Sequence, residues 1–163
     1  MIRIKGVIQH YSWGGFTFIP GLLGMENREQ KPFAEYWLGA HPNHPSILTG
    51  DPNKDLSQII NEDPSTTLGK TVVEKFGSLP YLFKILDVRQ MLSIQVHPSK
   101  EAAIREFEAE NKKGIPLKHP ERNYKDRNHK PELMIAMSDF WLLHGFKNEN
   151  DLKNILGTTP EFN

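Results

Sequence analysis

Three polar side chains alternate with apolar ones in the segment LSIQVHP, residues 92–98. In an extended strand, Ser93, Gln95 and His97 would project to one face, because successive side chains point to opposite faces. Facing a cavity, that row would supply a hydroxyl, an amide oxygen and an imidazole nitrogen to a metal ion and its substrate. Facing water, it would be an ordinary amphipathic edge, which is the commoner outcome for such an alternation.

A second segment, NHKPELMIAM at residues 128–137, places Glu132 at the start of a strongly apolar run, where an unpaired charge is costly. The intervening proline favours an extended Lys130, so Lys130 and Glu132 should share a face. The simpler interpretation is an ion pair between them. The alternative is that Gln95, His97 and Glu132 converge on one divalent cation with Lys130 beside it. One imidazole with oxygen donors suits zinc, and also manganese, iron or nickel.

The elements that would position these residues are mostly strands. Apolar runs, several of them β-branched or aromatic, predict strands at residues 2–8, 81–88, 91–97, 132–137 and 140–146. Polar breaks at 87–90 and 138–139 predict two hairpins, and therefore an antiparallel sandwich or barrel.

Helices are fewer. Ser99 should cap a helix that carries apolar residues at helical spacing and ends before Gly114. Shorter helices are predicted at 56–60 and at 72–76, the second stopped by Gly77, and a last one begins near Asn150. The polar stretch 112–130 reads as a long loop, the kind of segment that often carries function.

Composition limits the function. The 163 residues carry 20 Lys plus Arg and 20 Asp plus Glu, so no overall charge attracts nucleic acid or an anionic membrane. With no cysteine, thiolate zinc clusters and cysteine nucleophiles are excluded. No signal peptide or membrane span is predicted, and cytoplasm is the expected location.

Six segments together resemble the type I mannose-6-phosphate isomerases. They occur in order over nearly the whole chain: YSWGG (11–15), PFAEYWLGAHPNHPS (32–46), LPYLFKILDV (79–88), LSIQVHPS (92–99), YKDRNHKPELMIA (124–136) and LLHGF (142–146). The resemblance implies a mainly β cupin, or jelly-roll, domain with a few helices, and a zinc-dependent interconversion of mannose 6-phosphate and fructose 6-phosphate.

The resemblance also implies roles for single residues. Three of the family's four zinc ligands match Gln95, His97 and Glu132. The substrate pocket of the family is matched by Trp13, Ser93 and Lys130, with Lys84 as a further pocket residue. Lys130 would either shuttle protons or orient the substrate hydroxyls, or it would be a plain charged lysine that binds an anionic sugar. We expect Ser93 and Lys84 to hold the phosphate of a hexose 6-phosphate.

Members of that family are longer, with a second histidine ligand and an active-site arginine downstream of Asn163. We therefore expect residues 1–149 to be the first portion of an incomplete cupin domain and 150–163 to begin a helical segment. The alternatives are a noncatalytic metal- or carbohydrate-binding cupin domain, a different cupin enzyme such as an iron or manganese oxygenase or an epimerase, and a chain that associates with a second chain to cover an open sheet edge.

Three other features have less direct interpretations. Trp13 is either a wall against a sugar or simple packing beside glycines, the commoner case. His41 and His44 have the spacing of a metal pair, but the prolines around them favour a tight structural turn. Glu35 is either a buried carboxylate with a partner or a surface residue.

Overall fold

A computed structural model describes residues 2–93, 95–142 and 145–162 of the chain. The chain divides into two compact units, unit 1 spanning Met1–Ile94 and unit 2 spanning Gln95–Asn163. Within the described ranges, no helix combines the length and the apolar character that a membrane crossing requires.

Unit 1 contains short antiparallel strands and four short helices. Its elements are β1 (Ile4–Lys5), β2 (Val7–Gln9), α1 (Phe18–Leu22), β3 (Glu35–Leu38), β4 (Ala40–His41), β5 (His44–Pro45), β6 (Ile47–Leu48), β7 (Asp51–Asp55), α2 (Leu56–Glu62), α3 (Pro64–Leu68), α4 (Lys70–Phe76) and β8 (Phe83–Leu86). They form a sheet of order β1-β6-β7, a sheet of order β2-β3-β8 and the hairpin β4-β5.

The sheet β2-β3-β8 separates an apolar face from a polar one. Ile8, Tyr36 and Ile85 lie opposite one another in the register and pack on the core residues Ile19 and Phe33. The neighbouring positions face the other way because side chains alternate along a strand. They form what we call the polar face of this sheet: Val7, Gln9, Glu35, Trp37, Lys84 and Leu86.

The first predicted strand, residues 2–8, is interrupted at Gly6. The backbone N–H of Gly6 donates to the hydroxyl of Tyr36 at 2.7 Å, and a Cβ at this position would lie within 2.8 Å of the Tyr36 ring. The chain therefore leaves one sheet and enters another here: β1 pairs with β6, and β2 pairs with β3.

The two glycines of YSWGG lie where a Cβ would meet other atoms, the backbone of Ala34 at Gly14 and the carboxylate of Asp87 at Gly15. Gly14 bridges to Val88, and a Cβ on Gly14 would lie 2.5 Å from the backbone of Ala34. The N–H of Gly15 donates to the carbonyl of Asp87 at 3.0 Å, and a Cβ there would collide with the Asp87 carboxylate. This segment is consequently held against the end of β8.

The predicted helices of unit 1 are confirmed. Asp55 begins α2 with a capping box, since its carboxylate accepts from the N–H of Gln58 and the Gln58 side chain accepts from the N–H of Asp55. Gly77 ends α4 in the left-handed conformation that favours glycine.

Unit 2 contains the helix that the sequence indicates most clearly. Its elements are α5 (Lys100–Lys112), α6 (Glu149–Thr158) and a 3₁₀ turn (Pro160–Phe162). The Ser99 hydroxyl accepts from the N–H of Ala102, and Gly114 has a φ of 71° just beyond the end of α5. Residues 113–130 form a long loop, as predicted.

The strands predicted at 91–97, 132–137 and 140–146 are wrong for the described residues of those segments, and so are the two hairpins that they would complete. Ile94, Leu143 and His144 lie outside the described residues. A strand needs a neighbour to pair its backbone groups, however apolar its own sequence is. The apolar side chains stay exposed instead, Leu133 at 90% and Met137 at 89%. The β structure of the described chain is therefore confined to the small antiparallel sheets of unit 1.

Candidate functional site

Two of the predicted metal ligands lie together in unit 2. The Nε2 of His97 is 3.9 Å from an Oε2 of Glu132, and the two side chains are 30% and 59% exposed. Two ligands on a tetrahedral zinc ion, each about 2.1 Å from the metal, stand about 3.4 Å apart. The His97–Glu132 pair is thus within roughly half an ångström of a chelating separation.

Helix α5 is the platform for this pair. His97 lies two residues before the cap Ser99, so the start of the helix fixes the chain that carries the imidazole. Glu132 reaches the same end because the loop after α5 returns along the helix. Its approach depends on how that loop is fastened.

The first fastening is a buried ion pair between Arg122 and Glu110. The Arg122 Nε is 2.9 Å from the Glu110 carboxylate, and the arginine side chain is fully buried. The guanidinium also donates to the carbonyls of Tyr124 and Ile115, at 2.6 and 2.8 Å, and to the Asn111 side chain at 2.8 Å. The planar fork of arginine suits such a set of acceptors, which a lysine would leave partly unsatisfied.

Glu110 receives bonds from the loop as well. Its carboxylate accepts from the backbone N–H groups of Asn123 and Tyr124, at 3.1 and 2.9 Å. Desolvation would raise the pKa of Glu110, but the two backbone donors and the Arg122 charge outweigh it, and the pKa lies below its ordinary value. The carboxylate is therefore held charged in the folded protein.

Two further contacts fasten the loop toward the start of α5. Arg127 forms an ion pair with Glu108 on the helix and lies over the ring of Phe107. The Lys100 ammonium donates to the Asn128 side chain at 2.9 Å, in the first turn of the helix. Glu132 follows Asn128 by four residues, so the loop is delivered to the end of the helix where His97 lies.

The other two residues predicted for this site, Gln95 and Lys130, lie close to His97 and Glu132 in the sequence, and no side-chain hydrogen bond or ion pair joins them to that pair in the described residues. Gln95 and Lys130 are exposed, and their neighbours His97 and Glu132 lie on irregular backbone, where the alternation that put them on common faces does not apply. Among the described residues, no group of three His, Cys, Asp or Glu side chains is arranged to hold a metal ion. The third ligand predicted in this chain, Gln95, would add an amide oxygen to the imidazole and the carboxylate.

In unit 1, Lys84 lies on the polar face and is held by a buried carboxylate. Its Nζ is 3.6 Å from Oε1 of Glu35 and 4.9 Å from the centre of the Trp37 ring. The Trp37 indole N–H donates to the other oxygen of Glu35 at 2.6 Å. Glu35 is thus the buried carboxylate with a partner, one of the two interpretations that its sequence left open.

Trp13 is half-buried and anchors the chain after β8. Its carbonyl accepts from the N–H groups of Arg89 and Gln90, at 3.0 and 3.2 Å, and its ring stacks on Tyr11 at 5.7 Å. Burial raises the pKa of Tyr11, and the negative charge of Glu35 raises it further. Ser93, the third substrate-binding residue predicted in this unit, is exposed.

His41 and His44 form the structural turn that the prolines predict. They face each other across the hairpin β4-β5 and pack on Trp37, with ring centres 4.8 and 5.7 Å from it. His44 also shares a hydrogen bond with the Gln9 side chain at 3.0 Å. Both imidazoles cover the polar face of the sheet and extend the environment of Trp37.

The family is decided by a profile match over most of the chain. Residues 1–149 match the family described as phosphomannose isomerase type I, catalytic domain. The chain belongs to this family. The resemblance that the six sequence segments indicate is therefore confirmed.

Mannose-6-phosphate isomerases are among the curated relatives. The chain is 42% identical over 158 residues to the protein of Escherichia coli (strain K12), covering 96% of the chain and 40% of that relative. It is 36% identical over 174 residues to the protein of Candida albicans (strain SC5314 / ATCC MYA-2876), covering 100% of the chain and 37% of the relative. The chain thus spans about 40% of the length of these isomerases.

A solved structure gives the same result at the level of the fold. The mannose 6-phosphate isomerase of Salmonella typhimurium, bound to fructose 6-phosphate and zinc, superposes with a TM-score of 0.72 at 44% identity. The match covers 80% of the present chain and 33% of that isomerase.

Two charged residues of the chain were not singled out from the sequence. Arg122 lies in a polar loop and has no local pattern that marks it as buried. Glu110 sits in a helix rich in glutamate, where no local pattern distinguishes it from the half-buried Glu106 and Glu108. Their importance comes from a contact between the helix and the loop, which no local pattern of the sequence reveals.

Proposed function

We propose that this chain is part of a zinc-dependent isomerase that interconverts mannose 6-phosphate and fructose 6-phosphate. The observation that carries the proposal is the approach of His97 to Glu132, two residues 35 positions apart in the sequence, in a chain of the type I phosphomannose isomerase family. The zinc-bound and fructose 6-phosphate-bound relative supports the choice of metal and substrate.

The proposed zinc ligands are Gln95, His97 and Glu132. An imidazole nitrogen and a carboxylate oxygen are ordinary zinc ligands. The 3.9 Å between these two atoms would have to shorten by roughly half an ångström for both to bind one ion. When bound, zinc would act as a Lewis acid that stabilises negative charge on the sugar oxygens. The exposure of both side chains leaves room for a substrate oxygen or water beside them.

The reaction requires a proton to move between C1 and C2 of the open-chain sugar, through an enediolate. Lys130 precedes Glu132 by two residues and is the proposed group for moving a proton or orienting the hydroxyls of the sugar. Its exposure makes its ammonium available to an anionic ligand. In unit 1, Lys84 and Ser93 are proposed to bind the phosphate, and Trp13 to contact the sugar.

Zinc binding is the first test. Elemental analysis after dialysis should find one zinc ion per chain, and His97→Ala and Glu132→Gln should each lose it, because each removes a ligand. His41→Ala is the matched control, since its imidazole packs on Trp37 in the other unit. Stoichiometric zinc in all three variants would refute the ligand assignment.

Activity is the second test. A coupled assay should detect conversion of mannose 6-phosphate to fructose 6-phosphate by the zinc-loaded chain, with loss of turnover in Lys130→Gln. Zinc and hexose phosphate binding without turnover would favour the other candidate, a noncatalytic cupin domain that binds metal or carbohydrate. The jelly-roll architecture and the cytoplasmic location are part of the same proposal.

A further inference from the structure

The ion pair between Glu35 and Lys84 occupies a sheet face that also carries Trp37. Glu35 is 7% exposed as a residue, whereas the Lys84 side chain is 29% exposed. The carboxylate is therefore inside the protein and the ammonium is at its surface. Such a pair presents the cation to solvent while hiding the anion that holds it.

The carboxylate divides its two oxygens between two partners. The Trp37 indole N–H donates to Oε2 at 2.6 Å, while the Lys84 ammonium lies 3.6 Å from Oε1. Trp37 and Glu35 are on the same strand two residues apart, and Trp37 is paired directly with Lys84 in the register. Lys84 reaches Glu35 diagonally, which a long side chain can do across neighbouring strands.

The three groups fix one another. The indole holds the carboxylate in one orientation, and the carboxylate and the indole ring, 4.9 Å from the ammonium, hold the lysine. An unpaired lysine side chain samples many rotamers, and a ligand that binds it must order them. A lysine already held over an indole ring avoids most of that loss.

We propose that Glu35 is a positioning residue, which acts through Lys84 by holding its ammonium over Trp37 to receive the phosphate of a hexose 6-phosphate. This inference rests on the function proposed above. Glu35 itself contacts no substrate in this scheme. Its carboxylate lies on the buried side of the Lys84 ammonium, and the hydrogen bond from the Trp37 indole holds the carboxylate in that position.

A double-mutant cycle on the zinc-loaded chain tests the proposal. Glu35→Gln preserves the size of the side chain and an acceptor for the indole but removes the charge. We expect the Kd for fructose 6-phosphate to rise about tenfold in Glu35→Gln, the ratio that corresponds to ordering a lysine side chain. Lys84→Gln should weaken binding at least as much, and Glu35→Gln should have no effect when added to it.

A spectroscopic readout separates positioning from general stability. The Lys84 Nζ lies 4.9 Å from the centre of the Trp37 ring, so NMR should show the protons of the adjacent ε-methylene group shifted upfield by the ring current in the wild-type chain. In Glu35→Gln they should move toward ordinary lysine values, with the unfolding midpoint also recorded. Glu62→Gln is the matched control, since it breaks an exposed lysine–glutamate pair of similar length, 3.3 Å, in the same unit.

The outcomes are distinct. Tighter binding of fructose 6-phosphate by Glu35→Gln would overturn the proposal, because Glu35 would then compete with the phosphate for Lys84. Unchanged Lys84 resonances would also overturn it. If Glu35→Gln does not fold, Trp37→Phe, which removes the indole N–H and keeps an aromatic ring, serves in the same cycle. A wild-type chain that binds zinc but no hexose phosphate would instead refute the proposed function, and the Lys84 resonances would still decide whether Glu35 positions the lysine.

Discussion

Replacing Arg122 by alanine should destabilise unit 2 severely. The Arg122 side chain is fully buried, and its loss leaves the carbonyls of Tyr124 and Ile115 and the Glu110 carboxylate without their shared donor. Removing one partner of a buried ion pair typically costs about 3–5 kcal/mol. The backbone N–H groups that also bind Glu110 place the expected cost near the lower end, at about 3 kcal/mol.

Hydrogen exchange measures this effect locally. The Tyr124 N–H donates to Glu110 at 2.9 Å and should be protected in the wild-type chain. A loss of about 3 kcal/mol corresponds to a roughly hundredfold faster exchange of this amide when exchange reports the opening equilibrium. Denaturant unfolding of the whole chain, followed by the far-UV helix signal, should also show destabilisation.

Arg127→Ala is the matched control for Arg122→Ala. Both arginines contact a glutamate of α5 and the ring of Phe107, but the Arg127 side chain is 61% exposed. An exposed ion pair contributes up to about 1 kcal/mol. If the Tyr124 amide exchanged equally fast in the two variants, the buried Arg122–Glu110 pair would not be what fastens the loop. That result would refute the prediction.

Three further outcomes follow from the same structure. Lowering the pH should release the loop, because the pKa of Glu110 is depressed in the folded protein. The stability that the charged Glu110 contributes is complete above its ordinary pKa of 4.5 and is lost as pH falls through its lower pKa in the folded protein. Exchange of the Tyr124 amide should show this pH dependence, and Glu110→Gln should abolish it. The double variant Arg127→Ala/Asn128→Ala should weaken zinc binding about threefold, as measured by calorimetry. The reason is that the unfastened segment before Glu132 doubles from four residues to eight. An unchanged zinc affinity would show that these two contacts do not help to place Glu132. Gly14→Ala should destabilise unit 1 by about 1–3 kcal/mol in thermal unfolding, through its collision with the backbone of Ala34, whereas Gly50→Ala meets nothing within 4 Å and should be neutral.

The helices could be predicted because their signals are local. Ser99 and Gly114 bracket α5, and Gly77 ends α4, each through a contact or a conformation within a few residues. The turn at residues 41–44 belongs to the same class, since prolines and a short loop define it. Such features depend on neighbouring residues and not on the tertiary contacts of the rest of the chain.

The strands could not be predicted equally well, because a strand is defined by its partner. Residues 83–86 form β8 since β3 lies beside them, while the equally apolar residues 133–137 form no strand. Conversely, β3 itself begins with a charged residue, Glu35, and has a tryptophan on its polar face. Its sequence alone gives no strong alternation of apolar and polar residues.

One contact within the candidate site agrees with the sequence, although the local geometry differs. His97 and Glu132 were paired from the chemistry of their side chains, and they do lie together, although the strands assumed to bring them there are absent from the described residues. The structure reaches the same approach by another route, a capped helix and a loop fastened along it. The proximity of the two side chains therefore does not depend on the strands that the sequence predicts.

Both units use a buried carboxylate to hold a cation of another segment. Glu35 orders Lys84, and Glu110 orders Arg122, and in each case further donors satisfy the carboxylate, the Trp37 indole or the loop N–H groups. A buried anion without such donors would cost more than its ion pair returns. The sequence can show that a carboxylate stands among apolar residues, as in AEYW, and that it will need partners. The topology of the fold decides which cation pairs with that carboxylate. The residues that position the site can therefore be identified only in the folded chain.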